Sequence, residues 1–259
     1  MPAYTFPPAW PHGTLVEVLP DVFVVTGTMK FPGPVPMAAS RNMTVVRQGG
    51  ALVLINSVRL DEPGLQALDA LGKVEHVLRL AAFHGSDDPF YKDRYGATVW
   101  AGRGQTYAKG FGLKPPPEAW YFRADRELDA TTVLPLPGKI HAFPSTPNGE
   151  VLLWLDRDGG VVVAGDALQN WAAADVYFNW VARLAMRGMG FLVPHNVGPG
   201  WLKRVKPDPA ELTAILDLEF QHLLPSHGVP VIGDARERYR PAITAAAAWA
   251  AQNRPQPRA

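Results

Sequence analysis

The sequence predicts an α/β protein in which two mixed β-sheets pack face to face with helices on their outer sides, an αββα four-layer sandwich. Short β-branched runs fill the first third of the chain and return after residue 139, and each half of the chain finishes in helical segments. A strand, helix, strand order over residues 51–80 requires a crossover to a neighbouring parallel strand. We expect one domain over residues 1–259, with an irregular lead over residues 1–13 and a disordered tail over residues 253–259.

The predicted elements of the first half begin as an antiparallel meander. Arg47-Gln48-Gly49-Gly50 is a hairpin signal between two apolar runs. Asp61 is placed to cap a helix that carries leucines on one face and stops at Gly72. A further short helix is expected through Phe90–Tyr95. The predicted strands of this half are residues 15–18, 22–26, 43–46, 51–55 and 74–80.

The second half repeats the strand-rich pattern before it turns helical. Its predicted strands are residues 140–143, 151–155, 161–164 and 223–224. Helices are expected over residues 172–189, after Asp208, and after Asp234, where Pro241 should kink or delay the last helix. Between the halves, the Gly- and Pro-rich stretch over residues 103–128 predicts a long loop, whose aromatic residues 120–122 either form a lid over a pocket or pin the loop to the core.

The composition excludes several classes of partner and site. The chain has 25 Lys and Arg against 24 Asp and Glu, so it offers no broad field for a polyanion and no nucleic acid is expected. It has no cysteine, which excludes disulfides and thiolate metal sites, and any metal would need histidine and oxygen ligands. The proline-rich start carries neither a secretory signal nor a membrane span, and we expect a cytoplasmic protein.

Three polar clusters carry the functional signal, because each one follows the end of an apolar run. They are Phe83-His84-Gly85-Ser86-Asp87-Asp88, Gly165-Asp166 and Ser226-His227-Gly228. Loops at strand ends are where a sheet brings together imidazoles and carboxylates that lie far apart in the chain. The three clusters together therefore predict a metal site at one edge of the sandwich.

The order of these clusters resembles the metallo-β-lactamase superfamily over about residues 19–250. Members carry a His-x-His-x-Asp-His loop, a later Gly-His-Thr histidine, an aspartate that bridges two metals and a final histidine. The resemblance places His84, Asp88, Asp166 and His227 on ligand positions, with Asp88 and Asp166 as the candidate catalytic carboxylates. The chain departs from the pattern at three further ligand positions, which Ser86, Pro89 and Ser145 occupy.

Other stretches resemble an uncharacterised branch of this superfamily whose metal loop is similarly reduced. These are Asn42–Arg47, the turn Leu71–Val74 and the helix after Asp166. The resemblance then implies the loss of the dinuclear zinc centre. The four remaining residues suffice for one divalent ion, Zn²⁺, Mn²⁺ or Fe²⁺, with an open position for water.

Two functions follow from this reduced motif. The first is a metal-dependent hydrolase of a small ester, lactone, amide or phosphoester. The second is a non-catalytic, metal-free member of the fold that binds a small molecule or a protein partner in the same pocket. A redox enzyme that uses iron is a third reading of the same ligand chemistry. The aromatic segment over residues 171–180 has three alternative roles: it covers the pocket, forms a homodimer contact or packs into the core.

Four more residues are assigned to the lining of the pocket: Ser86, Asp87, Ser145 and His141. For Asp87, a cap on the helix that follows is the simpler interpretation. His141 is either a substitute ligand, if its loop shifts, or a residue that faces away from the site. His195 is a weaker substitute. Considered alone, the imidazole of His84 is better explained by hydrogen bonding to the backbone in a tight turn, whereas the presence of Asp88 and His227 at the family's positions favours a role in the pocket.

Overall fold

Two large β-sheets lie face to face in the computed structural model, which describes residue 6 and residues 8–31, 35–105, 124–147 and 149–254. Helices cover the outer face of each sheet. The arrangement confirms the predicted αββα sandwich.

The larger sheet has seven strands in the order of the chain. The first four run antiparallel, and the fourth to seventh run parallel to one another. Its strands are β1 (Val16–Leu19), β2 (Val22–Phe31), β3 (Met37–Gln48), β4 (Ala51–Ile55), β5 (Lys73–Arg79), β6 (Thr98–Gly102) and β7 (Arg126–Leu128). The parallel half places the carboxyl ends of β4 and β5 at one edge of the sandwich.

The smaller sheet has four strands, β8 (Gly138–Ala142), β9 (Val151–Leu155), β10 (Val161–Ala164) and β13 (His222–Pro225), in the order β13-β10-β9-β8. Strands β10 and β13 run parallel, with Ala164 opposite Pro225. Their carboxyl ends therefore lie side by side. A short antiparallel pair, β11 (Leu168–Gln169) and β12 (Asn196–Val197), extends the same edge.

Six α-helices occur in the described part of the chain. They are α1 (Glu62–Leu71), α2 (Asp88–Tyr95), α3 (Trp180–Gly188), α4 (Pro199–Val205), α5 (Pro209–Thr213) and α6 (Ala235–Asn253). Asp61 caps α1 as predicted, because its carboxylate accepts a hydrogen bond from the backbone of Gly64. None of the helices among the described residues has the length and apolar character needed to cross a bilayer.

Three apolar layers stabilise the sandwich. The middle layer joins the inward-facing side chains of both sheets, among them Ile55, Leu80, Val151 and Val163. The outer layers pack α1 and α2 on the larger sheet and α4 to α6 on the smaller sheet. Burial of apolar surface in these layers is the main favourable term in folding.

Several predicted elements differ from the structure. The helix expected over residues 172–189 begins only at Trp180, since Asn179 caps it and Phe178 packs into the core with Trp171. Strands β6 and β7 and helix α4 have no counterpart in the prediction. Helix α6 is not delayed by Pro241, which lies inside it. The carboxylate of Asp234 does not cap this helix but pairs with Arg238.

Hydrogen bonds and an ion pair attach both ends of the chain to the fold where the structure describes them. In the lead, Thr28 donates a backbone hydrogen bond to Pro11, and Gly13 donates one to Thr26, so this segment pairs with β2. At the other end, Asn253 closes α6 and Arg254 pairs with Asp208. The remainder of the predicted tail and the predicted aromatic loop over residues 120–122 lie outside the described residues.

Candidate metal centre

His84, Asp166 and His227 meet at one edge of the sandwich. The Nε2 atom of His227 lies 3.0 Å from Oδ1 of Asp166, and Nε2 of His84 lies 3.7 Å from the same oxygen. The two imidazole rings have their centroids 5.1 Å apart. One ligand atom from each residue lies within 4.8 Å of the other two. Both imidazoles are buried, with relative exposures of 5%.

The sheets explain this convergence. His84 follows β5, Asp166 follows β10 and His227 follows β13, so each residue lies just beyond the carboxyl end of a strand. The loops after β10 and β13 are adjacent because these strands are parallel neighbours. A backbone hydrogen bond from Val151 to Leu80 connects the two sheets near the same edge.

Strand β3 supports the His227 loop from below. The amide of Asn42 donates hydrogen bonds to the carbonyl oxygens of Pro225 and Gly228, at 2.8 and 2.5 Å. Two residues earlier, the Ser40 hydroxyl accepts a hydrogen bond from the indole of Trp171, whose ring packs 4.5 Å from that of His227. These contacts fix the position of the His227 imidazole from both sides.

The surroundings of the site lower the pKa of both His84 and Asp166. Burial lowers the pKa of His84, although the neighbouring Asp166 opposes this shift. Burial alone would raise the pKa of Asp166, but the imidazoles of His84 and His227 outweigh it and lower the pKa well below its usual range. Neutral imidazoles and an ionised carboxylate are the forms that bind metal.

Glu150 is a buried carboxyl group beneath the site that the sequence analysis missed. Its Oε1 atom accepts hydrogen bonds from the backbone N–H groups of Asp166 and Ala167, at 2.7 and 2.9 Å. Burial raises the pKa of Glu150, and the charge of Asp166 raises it further. The available signal was an acidic residue directly before the apolar run of β9, where a charged side chain is rarely buried without a partner.

Asp88 does not join the group of three. Its carboxylate is fully buried, accepts a hydrogen bond of 2.6 Å from Ser57 and lies 3.7 Å from a guanidinium nitrogen of Arg79. A side chain at position 85 would collide with this pair, because an added Cβ would lie 2.3 Å from Arg79 and 2.8 Å from Asp88. Asp88 is thus the buried anion of an ion pair, and Gly85 gives the His84 loop room to pass over it.

Ser86 and Asp87 line a small cavity, but His84, Asp166 and His227 are not among its lining residues. Asp87 pairs with Arg41 and accepts a backbone hydrogen bond of 2.8 Å from Arg59. The interpretation of Asp87 as a helix cap is wrong, since its side chain makes no capping hydrogen bond to α2. Ser86 accepts a hydrogen bond from Arg41 at 3.3 Å.

Ser145 and His141 belong to a different part of the fold. The hydroxyl of Ser145 donates to Glu211 at 2.5 Å, and His141 contacts the backbone carbonyl of Glu211 at 3.0 Å. Both side chains thereby attach β8 and its loop to α5. His195 lies with its ring 5.6 Å from that of Tyr239. Of the histidines in the described residues, only His84 and His227 enter the group with Asp166.

The donor set fits one divalent ion. A metal bonded at about 2.1 Å to each donor holds neighbouring donors about 3.0 to 3.5 Å apart, close to the two distances measured from Oδ1 of Asp166. The second oxygen of Asp166 is buried without a hydrogen-bond partner among the described residues. Such an oxygen is costly to bury unless a cation or a donor reaches it. Two imidazoles and one carboxylate are ligands for Zn²⁺, Mn²⁺ or Fe²⁺.

Comparison with known proteins identifies the architecture. The sequence matches no family model and no curated protein. The structure is similar to the mono-zinc form of the metallo-β-lactamase FIM-1 from Pseudomonas aeruginosa, with a TM-score of 0.56, 17% identity, and coverage of 94% of this chain and 98% of that one.

Two further solved structures give the same result. The metallo-β-lactamase DIM-1, exposed to ceftazidime, has a TM-score of 0.57 at 12% identity and covers 94% of this chain and 100% of its own. A metallo-β-lactamase from Erythrobacter litoralis has a TM-score of 0.51 at 12% identity, with 92% of each chain covered. Sequence identities this low support a conclusion about the fold and none about the function. The chain has the metallo-β-lactamase fold.

Proposed function

We propose that the protein is a metal-dependent hydrolase that holds one divalent ion through His84, Asp166 and His227. The substrate class is a small ester, lactone, amide or phosphoester. The observation that carries the proposal is the convergence of two buried imidazoles and one carboxylate on loops at adjacent strand ends. The likeness of the fold to metallo-β-lactamases, one of them solved in a mono-zinc form, supports it.

The three side chains have different roles as candidate ligands. Asp166 supplies the negative charge, while His84 and His227 supply two further nitrogen donors. Three protein donors leave further coordination positions open for water and substrate. A divalent ion held by His84, Asp166 and His227 would supply an activated water and would polarise the carbonyl or phosphoryl oxygen of the substrate.

The surrounding residues hold these donors in place. Glu150 accepts the backbone N–H of Asp166, and Trp171 packs against His227. Asn42 anchors the loop on both sides of His227. Precise positioning of ligands by their neighbours commonly changes metal affinity or activity by about 10- to 100-fold.

The alternative function is a metal-free member of the fold that binds a small molecule or a protein partner. One observation favours it: the hydrogen bond of 3.0 Å between His227 and Asp166 pairs these side chains without an ion. An iron-dependent redox enzyme would use the same two histidines and one carboxylate.

Elemental analysis of protein purified without chelator tests the proposal. The hydrolase function predicts about one divalent ion per chain, loss of that ion in Asp166→Asn, and loss of hydrolysis of the best substrate found by screening ester, lactone, amide and phosphoester panels. Asp93→Asn, which changes an exposed carboxylate on α2, is the matched control. A folded wild-type protein that binds neither zinc, manganese nor iron at micromolar concentrations would refute the proposal and leave the metal-free alternative.

A further inference from the structure

A cavity of about 70 Å³ lies beside the loop that carries His84, on the helix-covered side of the larger sheet. Its walls come from the N-terminal segment, β2, β3, the chain after β4 and the start of α2. His84, Asp166 and His227 are not among its lining residues. The cavity is therefore separate from the candidate metal centre, although Ser86 and Asp87 of its wall belong to the same loop as His84.

Two arginines form the polar side of this cavity. Arg41 is 6% exposed, and its guanidinium binds Ser86 and Asp87. The Nε atoms of Arg41 and Arg59 are both buried and have no hydrogen-bond partner among the described residues. Because these two Nε atoms are enclosed by protein, an oxyanion in the cavity would instead be bound by the terminal guanidinium nitrogens, through charge-assisted hydrogen bonds.

The charges of the lining residues do not cancel. Arg41 and Arg59 bring two positive charges, and Asp87 brings one negative charge, so one positive charge remains. A single carboxylate oxygen of Asp87 serves both the side chain of Arg41 and the backbone N–H of Arg59. The ammonium group of Lys30, which lies 5.1 Å from the ring centroid of Trp10, adds positive charge beside the lining. The net positive charge of the lining residues favours an anionic ligand.

The rest of the cavity is apolar and aromatic. The guanidinium carbon of Arg59 lies 3.3 Å from the ring centroid of Phe90. Phe6 packs edge to face against Phe90, with their centroids 5.5 Å apart. Trp10, Val58 and two prolines also line the cavity. An alkyl group would gain by leaving water for this surface.

We propose that this cavity binds a short-chain aliphatic carboxylate. The carboxylate lies between Arg41 and Arg59, where the Ser86 hydroxyl, which accepts from Arg41, still has its own proton to donate. The alkyl chain lies against Trp10 and Phe90. The ligand is a monoanion because one positive charge is left over, and it is an organic acid rather than inorganic phosphate because most of the wall is apolar.

Saturation-transfer NMR titrations of the full-length protein test the proposal, with propanoate as the probe. Propanamide, which has nearly the same shape and no charge, should bind at least about tenfold more weakly, since one lost charge-assisted hydrogen bond has about this effect. Arg59→Gln should weaken propanoate binding by about tenfold or more. Ser86→Ala is the milder variant, expected to weaken binding a few-fold, and it keeps a readout if Arg59→Gln fails to fold.

The control is Arg126→Gln, which removes another arginine that lies over an aromatic ring, 5.3 Å from Trp100, and should leave propanoate binding unchanged. Asp166→Asn should also leave it unchanged, because the metal centre does not line the cavity. Loss of propanoate binding in Asp166→Asn would place the acid at the metal centre and overturn the proposal. Tighter binding of inorganic phosphate than of propanoate, or no propanoate signal at all, would overturn it as well.

Discussion

The buried carboxyl group of Glu150 accepts a hydrogen bond from the backbone N–H of Asp166, with 2.7 Å between Oε1 and N. The same oxygen accepts the N–H of Ala167. Two backbone donors of the loop that presents the candidate ligand therefore depend on one side chain from the start of β9. Glu150 shapes the metal centre without being part of the group of three residues.

Glu150→Gln should keep both hydrogen bonds, because an amide oxygen accepts as a carboxyl oxygen does. Glu150→Ala leaves two backbone N–H groups unpaired in the interior, which costs about 1 to 3 kcal/mol for each group. We expect the alanine variant to lose stability in urea unfolding and to bind metal more weakly, while the glutamine variant stays near wild type. Equal loss in both variants would assign the effect to the charge instead of the hydrogen bonds.

Asp88 should contribute to the stability of the fold and not to metal binding. Removing one partner of a buried ion pair typically costs about 3 to 5 kcal/mol, because the other charge is left uncompensated. Asp88→Ala, which removes the carboxylate beside Arg79 and the acceptor of the Ser57 hydroxyl, should therefore lower the free energy of unfolding strongly. Folded Asp88→Ala protein should still bind about one metal ion per chain, in contrast to Asp166→Asn. Loss of metal from folded Asp88→Ala protein would instead restore Asp88 as a ligand.

Local signals in the sequence predicted most of the fold. The apolar run of β4, the cap at Asp61 and the stop at Gly72 depend only on neighbouring residues, and the structure has each of them where expected. The prediction of a helix that begins at residue 172 is wrong. Tertiary packing holds Trp171 and Phe178 in the core, and it outweighs the helical spacing of the apolar residues.

The candidate site was predictable only in part. His84, Asp166 and His227 stand at strand ends, a position that the sequence pattern reveals, and the structure brings them together. The fate of Asp88 depends on Arg79, whose long side chain passes under the loop, and no spacing rule indicates that contact. The role of Glu150 likewise depends on a long-range contact, because the antiparallel pairing of β9 with β10 places Glu150 beside the loop that carries Asp166.

Asn42 should be essential for the shape of the His227 loop. Its amide donates to the carbonyl oxygens of Pro225 and Gly228, and its relative exposure is 2%. Asn42→Asp replaces these donors with an acceptor among carbonyl oxygens, so we expect a loss of several kcal/mol in the free energy of unfolding. Asn253→Asp, at the exposed end of α6, is the control and should change stability by less than about 0.5 kcal/mol. A near-neutral Asn42→Asp variant would contradict the anchoring role.

The stability of the protein should fall in mild acid partly through His141. Burial lowers the pKa of His141 below its ordinary value of 6.5. The unfolded chain therefore binds this proton more readily, so the contribution of His141 is complete above about pH 6.5 and is lost as the pH falls. His141→Gln should lose less stability than wild type between about pH 8 and about pH 5.5 in urea unfolding. Parallel losses in the two proteins would show that His141 does not contribute.

Loss of the contact between Trp171 and His227 should weaken metal binding by more than the accompanying loss of stability explains. The indole packs against the imidazole, and its N–H reaches the Ser40 hydroxyl at 2.9 Å. Trp171→Leu removes both contacts, and we expect metal affinity to fall by about 10- to 100-fold, the usual range for residues that orient a ligand. Trp171→Phe keeps a ring against His227 and should fall between that variant and wild type.

Trp154→Phe separates this effect from a general loss of stability. Its indole also donates a hydrogen bond, of 2.7 Å, to the backbone carbonyl of Glu219, but it lies on the outer face of the smaller sheet, away from the three candidate ligands. The Phe variants at positions 154 and 171 each lose one indole hydrogen bond, while only position 171 borders the imidazole of His227. Competition with a chromogenic chelator measures the metal affinity of each folded variant. Equal affinities for the two variants would mean that Trp171 stabilises the fold without positioning His227.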